Sequence, residues 1–115
     1  ILAPIHEDTP GPGAFDMTAL AEGRLRFVAT GDPAAAAAGK LTLRTIRTEL
    51  ARIVAQRATD DANLFYLDGR TLYGESEADA LPLPDDLHPD AATPRLMGER
   101  FAVHAFSGSG PFGTE

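Results

Sequence analysis

Two neighbouring stretches decide the fold: TLRTIRTELARIVAQRA, residues 42–58, and NLFYL, residues 63–67. In the first, Leu43, Ile46, Leu50, Ile53, Val54 and Arg57 recur at 3-4-3-1-3 spacing. On a helix that spacing makes one apolar stripe with a basic end. Arg44, Arg47, Glu49 and Arg52 fall mostly on the other faces. The pattern predicts a helix over 42–58 that stops at Asp60-Asp61. Leu64 to Leu67 is a continuous apolar run closed by Asp68-Gly69, the pattern of a strand buried on both faces. Ile1 to Ile5 reads the same way. Strand, helix and strand in that order predict an α/β chain built on a βαβ unit with parallel strands.

Outward from this unit the signals are local. Residues 9–13 (TPGPG) deny both helix and ladder. Leu25 to Ala29 is a candidate short strand. Asp32-Pro33 before Ala34 to Ala38 resembles an N-cap with proline at the first helical position, and Gly39 limits it to one short turn of helix or none. The acid- and proline-rich stretch between Arg70 and Asp86 predicts a loop, with Glu75, Glu77 and Asp79 as its solvated charges. A last helix is expected from Thr93 as cap, with Pro94 at the first helical position, to about His104. Residues 106–115 are Gly/Ser-rich and predict a flexible tail beyond a folded unit of residues 1–105. Phe65-Tyr66 and Met97/Phe101 are assigned to the core.

The bulk properties bound the function. At 115 residues with 43% apolar content, the chain is one domain at most and has material for a core. It has no cysteine, which excludes disulfides, thiolate metal sites and cysteine nucleophiles and fits a cytoplasmic protein. A net charge of −7, from 17 acidic and 10 basic residues, argues against a nucleic-acid partner. No apolar run is long enough to span a bilayer. The start, Ile1-Leu2-Ala3-Pro4-Ile5, lacks the basic opening of a signal peptide and an initiator Met, and reads like a cut from a longer protein.

One arrangement carries chemistry: Leu83-Pro84-Asp85-Asp86-Leu87-His88-Pro89-Asp90. A carboxylate that accepts the Nδ1 proton of a histidine fixes its tautomer and aims Nε2 outward. It also stabilises the imidazolium formed during reaction. A separation of three residues suits a turn that returns Asp85 to the ring of His88. Asp85 then orients and His88 is the general base, with Asp86 second in line for the orienting role. Taken alone, D-x-x-H is also the pattern of a solvated acidic loop with a surface histidine.

The surroundings add a resemblance. Leu64 to Gly69 (LFYLDG), then Leu83-Pro84-Asp85-x-x-His88-Pro89, then Arg95 to Phe101 (RLMGERF), are similar in order to the closing block of SGNH (GDSL-type) lipases and acylhydrolases. Ala3 to Pro12 (APIHEDTPGP) resembles the strand and active-site loop of one bacterial branch of that family. The resemblance covers residues 1 to 105, and D-x-x-H-P is its specific part. It implies a partial SGNH-hydrolase (flavodoxin-like) three-layer sandwich with a small parallel sheet. It also implies a carboxylic-ester hydrolase needing no cofactor, with His88 as base and Asp85 as its orienting acid. His6 is placed at the substrate-binding rim. The family's Gly-Asp-Ser-like nucleophile block and its oxyanion donors are not present. Only Ser76, Ser107 and Ser109 occur, and Gly74-Glu75-Ser76 does not follow a buried strand. Thr93-Pro94 departs from the family's helix.

The remaining candidates read more simply. His6, Glu7 and Asp8 are consecutive, and consecutive side chains rarely converge on one metal ion; a polar loop accounts for them. His104 suits a helix C-terminus. The function expected is hydrolysis of a small-molecule carboxylic ester, with the base half of a triad supplied here. The alternative is a truncated, non-catalytic half-domain that serves as an interaction or oligomerisation module. Both readings predict a homo-oligomer or association with a missing N-terminal portion, because a short sheet leaves an open strand edge.

Overall fold

A computed structural model describes residues 6–113. Among them the chain is mixed α and β, with four α-helices and one two-stranded sheet. Strands β1 (Gly13–Phe15) and β2 (Phe27–Ala29) pair antiparallel, with Gly13 opposite Ala29, Ala14 opposite Val28 and Phe15 opposite Phe27. The Asp16 N–H donates to the Arg26 carbonyl at 2.9 Å and carries the pairing one step beyond the strands. Inside the connection lies α1 (Met17–Ala21), capped by the Asp16 carboxylate, which accepts from the Thr18 and Ala19 N–H groups. The TPGPG segment delivers β1, and its Pro10 is fully buried. Gly31 lies against Pro10 so closely that a Cβ there would stand 1.6 Å from the Pro10 carbonyl oxygen. Only glycine fits that crossing.

The predicted central helix is α2 (Leu43–Arg57), with Thr42 as N-cap accepting from the Thr45 N–H and Ala58 as C-cap. It is tied to the chain start through Arg47–Glu7 and Arg44–Asp8 ion pairs, and to residues 63–67 through the Tyr66 hydroxyl, which donates to the Arg47 carbonyl. Its apolar stripe is uncovered: Ile46, Leu50 and Ile53 are all exposed.

Among the described residues no parallel βαβ unit is formed. Residues 63–67 run between turns without a strand ladder, and the sheet that is described is the antiparallel hairpin. An apolar run becomes a strand only where a neighbour accepts its backbone bonds, and none does so among the described residues. Ile1 to Ile5, the other predicted strand, lies outside the described residues. Phe65 and Phe101, assigned to the core, are also exposed.

The stretch between Arg70 and Asp86 is not all loop. A 3₁₀ turn (Gly69–Thr71) and α3 (Glu75–Ala80) lie within it. Glu77 reaches back to accept the Gly74 N–H at 2.9 Å and pairs with Arg100 at 2.8 Å. The Arg100 guanidinium, with the Gly74 N–H and the Ser76 hydroxyl, holds the Glu77 carboxyl at about 2, far below its ordinary 4.5. Arg100 also donates to the Leu72 carbonyl, so one guanidinium joins α3 to α4 (Ala92–Phe106). Tyr73, between the 3₁₀ turn and α3, has no exposed surface, and its hydroxyl donates to the Leu81 carbonyl at 2.8 Å.

The last helix starts earlier than predicted. The cap is the Asp90 carboxylate, which accepts from the N–H groups of Ala92 and Thr93 and from the Thr93 hydroxyl. Thr93 is buried inside the first turn instead of capping it, and Pro94 still falls among the first four positions, where a missing N–H costs nothing. The segment predicted as a flexible tail makes turns as far as Gly113. The Phe112 N–H donates to the Ala105 carbonyl, and its ring meets Phe106 and Phe65.

The result is a slab. Its radius of gyration is 17.0 Å with extents of 55 × 36 × 17 Å, against about 13 Å for a closed domain of this length. Three layers spaced roughly 10 Å apart do not fit in a thickness of 17 Å.

Candidate active site

Asp85 and His88 close the turn that their spacing predicts. The His88 ring meets the Asp85 carboxylate through Nδ1 at 2.9 Å to Oδ2, while the other oxygen accepts the backbone N–H of His88 at 2.6 Å and of Leu87 at 3.0 Å. One carboxylate thus makes the turn and holds the ring. Its side chain is only 12% exposed, whereas that of His88 is 64% exposed. Burial pushes the Asp85 carboxyl up, but the His88 N–H, the His88 ring and the Leu87 N–H more than offset it. The group lies below its ordinary value of 3.8 and is a carboxylate at neutral pH. With Nδ1 engaged, Nε2 is the nitrogen left to act on an approaching group.

Asp86 turns away. It occupies the left-handed region at φ 65°, uncommon for a residue with a Cβ, and its carboxylate pairs with the Arg26 Nε at 2.5 Å. Next to Arg26, the Phe27 N–H donates to the Asp85 carbonyl at 2.8 Å, and the Phe27 ring stands edge-on to the His88 ring at 5.1 Å and 74°. Phe15, its cross-strand partner, is 4.8 Å from Phe27. Arg26 and Phe27 both contact this turn, and the reading of the sequence did not single them out. No local signal points to them, since Arg26 and Asp86 are 60 residues apart in the chain.

The other predicted residues are elsewhere. His6 is half-buried ahead of the Glu7 and Asp8 ion pairs, and no hydrogen bond or ring contact joins it to His88 among the described residues. Ser76, on α3, donates to Glu77. Ser107 and Ser109 line a cleft with His104 at the far end of α4. Among the described residues no hydroxyl is hydrogen-bonded to His88. No group of three or more histidine and carboxylate side chains there is arranged to hold a metal ion. A cleft lined by Arg44, Arg47, Tyr66 and Arg70 is charge-balanced, because each guanidinium already meets Asp8, Glu7 or Asp68. No described helix is long and apolar enough to cross a membrane.

Compared with protein-family models, curated proteins and solved structures, the chain has no match in any of the three.

Proposed function

We propose that this chain supplies the general-base half of an SGNH-type carboxylic-ester hydrolase. The observation that carries the reading is the 2.9 Å Nδ1–Oδ2 contact between an exposed imidazole and a nearly buried carboxylate. His88 Nε2 takes the proton of a hydroxyl or a water, whose oxygen then attacks the acyl carbon. The imidazolium gives that proton to the leaving alkoxide, which departs as the alcohol. Asp85 remains ionised throughout and stabilises the charged ring. None of the serines described here is hydrogen-bonded to His88, so this reading assigns the nucleophile to water or to a group outside this arrangement. His6 keeps its place in the proposal only as a rim residue.

Hydrolysis of a chromogenic short-chain ester by the purified chain tests the assignment. Asp85→Asn is expected to slow it by roughly 10–10²-fold, part of the 10²–10⁴ that a positioned base supplies. Asp86→Asn, which leaves the Nδ1 contact in place, should cost much less. The reverse order would hand the orienting role to Asp86 and sink this geometry.

The uncovered stripe on α2 supports a finer reading and also favours the non-catalytic alternative. In the first, Ile46, Leu50 and Ile53 pack on a small parallel sheet within a three-layer sandwich, completed by a second copy or by a polypeptide that supplies further strands. In the second, the same stripe is simply a contact surface. Each such side chain left in water forfeits roughly 1.5–3 kcal/mol, so both readings predict association. Light scattering coupled to size exclusion at micromolar concentration should give a mass above that of one chain. A monomer that unfolds cooperatively would show that the slab stands alone.

A further inference from the structure

We propose that the β1–β2 hairpin is the positioning element of this base, with Arg26 and Phe27 gripping the Asp85–His88 turn from outside and fixing the plane of the imidazole. The inference rests on the reading of Asp85 and His88 as the base of an ester hydrolase. A single hydrogen bond at Nδ1 leaves a ring that is 64% exposed free to swing about that bond. A base has to present Nε2 along one line, since reacting atoms must meet within a narrow range of distance and angle. The edge-on Phe27 ring at 5.1 Å removes the swing, and Phe15 at 4.8 Å backs it across the hairpin.

The backbone is held in the same way. The Phe27 N–H fixes the Asp85 carbonyl at 2.8 Å. Arg26 draws the Asp86 carboxylate outward while that residue sits at φ 65°, a conformation that favours Gly or Asn. Arg26 and Phe27 are neighbours at the start of β2, and each contacts a different residue of the turn. Arg26 and Phe27 therefore reach two residues of the turn, Asp86 and His88, from one place on the hairpin. The Arg26–Asp86 pair is half exposed and contributes modestly; the ring contact contributes more.

The test uses the full chain labelled with ¹⁵N, with two readouts: the ring nitrogen shifts of His88, which report the tautomer, and the kcat and KM of ester hydrolysis. In the parent chain the neutral ring should carry its proton on Nδ1. Phe27→Leu should mix the tautomers and lower kcat roughly two- to twelvefold, with KM within about twofold, while Phe27→Tyr restores both. Arg26→Gln should lower kcat roughly two- to fivefold, and Arg26→Lys should recover most of it. A folded Phe27→Leu and a folded Arg26→Gln that both keep the parent tautomer and kcat would overturn the proposal. If Phe27→Leu loses its cooperative thermal transition, Arg26→Gln decides alone, and an unchanged tautomer there overturns it. A parent chain without hydrolysis, but with the tautomer response intact, sinks the esterase reading and sustains the positioning role.

Discussion

Replacing His88 by alanine is expected to lower ester hydrolysis by roughly 10²–10⁴-fold, the contribution of a positioned general base. The variant removes the ring that meets Asp85 at 2.9 Å. It leaves Asp85 with its backbone bonds from Leu87 and from residue 88. The turn should therefore persist, and the loss should fall on kcat with little change in the unfolding midpoint. His104→Ala is the matched control. That residue lies in the last turn of α4, lines clefts away from Asp85, and should leave the rate within about twofold. Equal activity in the His88 variant and the parent would end the assignment of the base.

The largest effect on stability is expected at Tyr73. Its side chain has no exposed surface, few of the described residues are buried so fully, and it lies between the 3₁₀ turn and α3 with its hydroxyl on the Leu81 carbonyl. Tyr73→Ala leaves a cavity the size of an aromatic ring and an unpaired Leu81 carbonyl. The cost should be about 3–5 kcal/mol, a large share of the net stability of a small domain. Tyr73→Phe keeps the ring and loses only the 2.8 Å bond to that carbonyl, so it should cost about 0.5–1.5 kcal/mol. Arg95→Ala, on the solvent side of α4 with an exposed partner in Glu99, should stay within about 0.5 kcal/mol. Thermal or urea unfolding followed by circular dichroism ranks the three. A Tyr73→Ala chain as stable as its parent would mean that the core lies elsewhere.

What the sequence made legible was local. Helix α2 carries its own instructions, a threonine cap and an apolar repeat, and its limits agree with the reading to within a residue. The Asp85–His88 contact spans three positions and was readable for the same reason. Helix α3 was concealed by the acids around it, although Gly74 followed by acidic residues at 75 and 77 is a helix start in plain sight. In the last helix, Asp90 takes the role given to Thr93 because two cap-forming residues stand three apart, and spacing alone does not rank them. The grip of Arg26 on Asp86 joins residues brought together only by the fold. The strand at 63–67 was read from its composition. Composition specifies a willingness to pair, whereas pairing also needs a neighbour.

The exposure of His88 has a consequence for control. An imidazole surrounded by water shares its field with the solvent, and a carboxylate beside it is worth least there. Under the proposed function, an ester that docks over Nε2 must also displace part of that water. Docking of the substrate and drying of the base then become one event. The pair would work least well in the open slab and gain strength as bound substrate covers it.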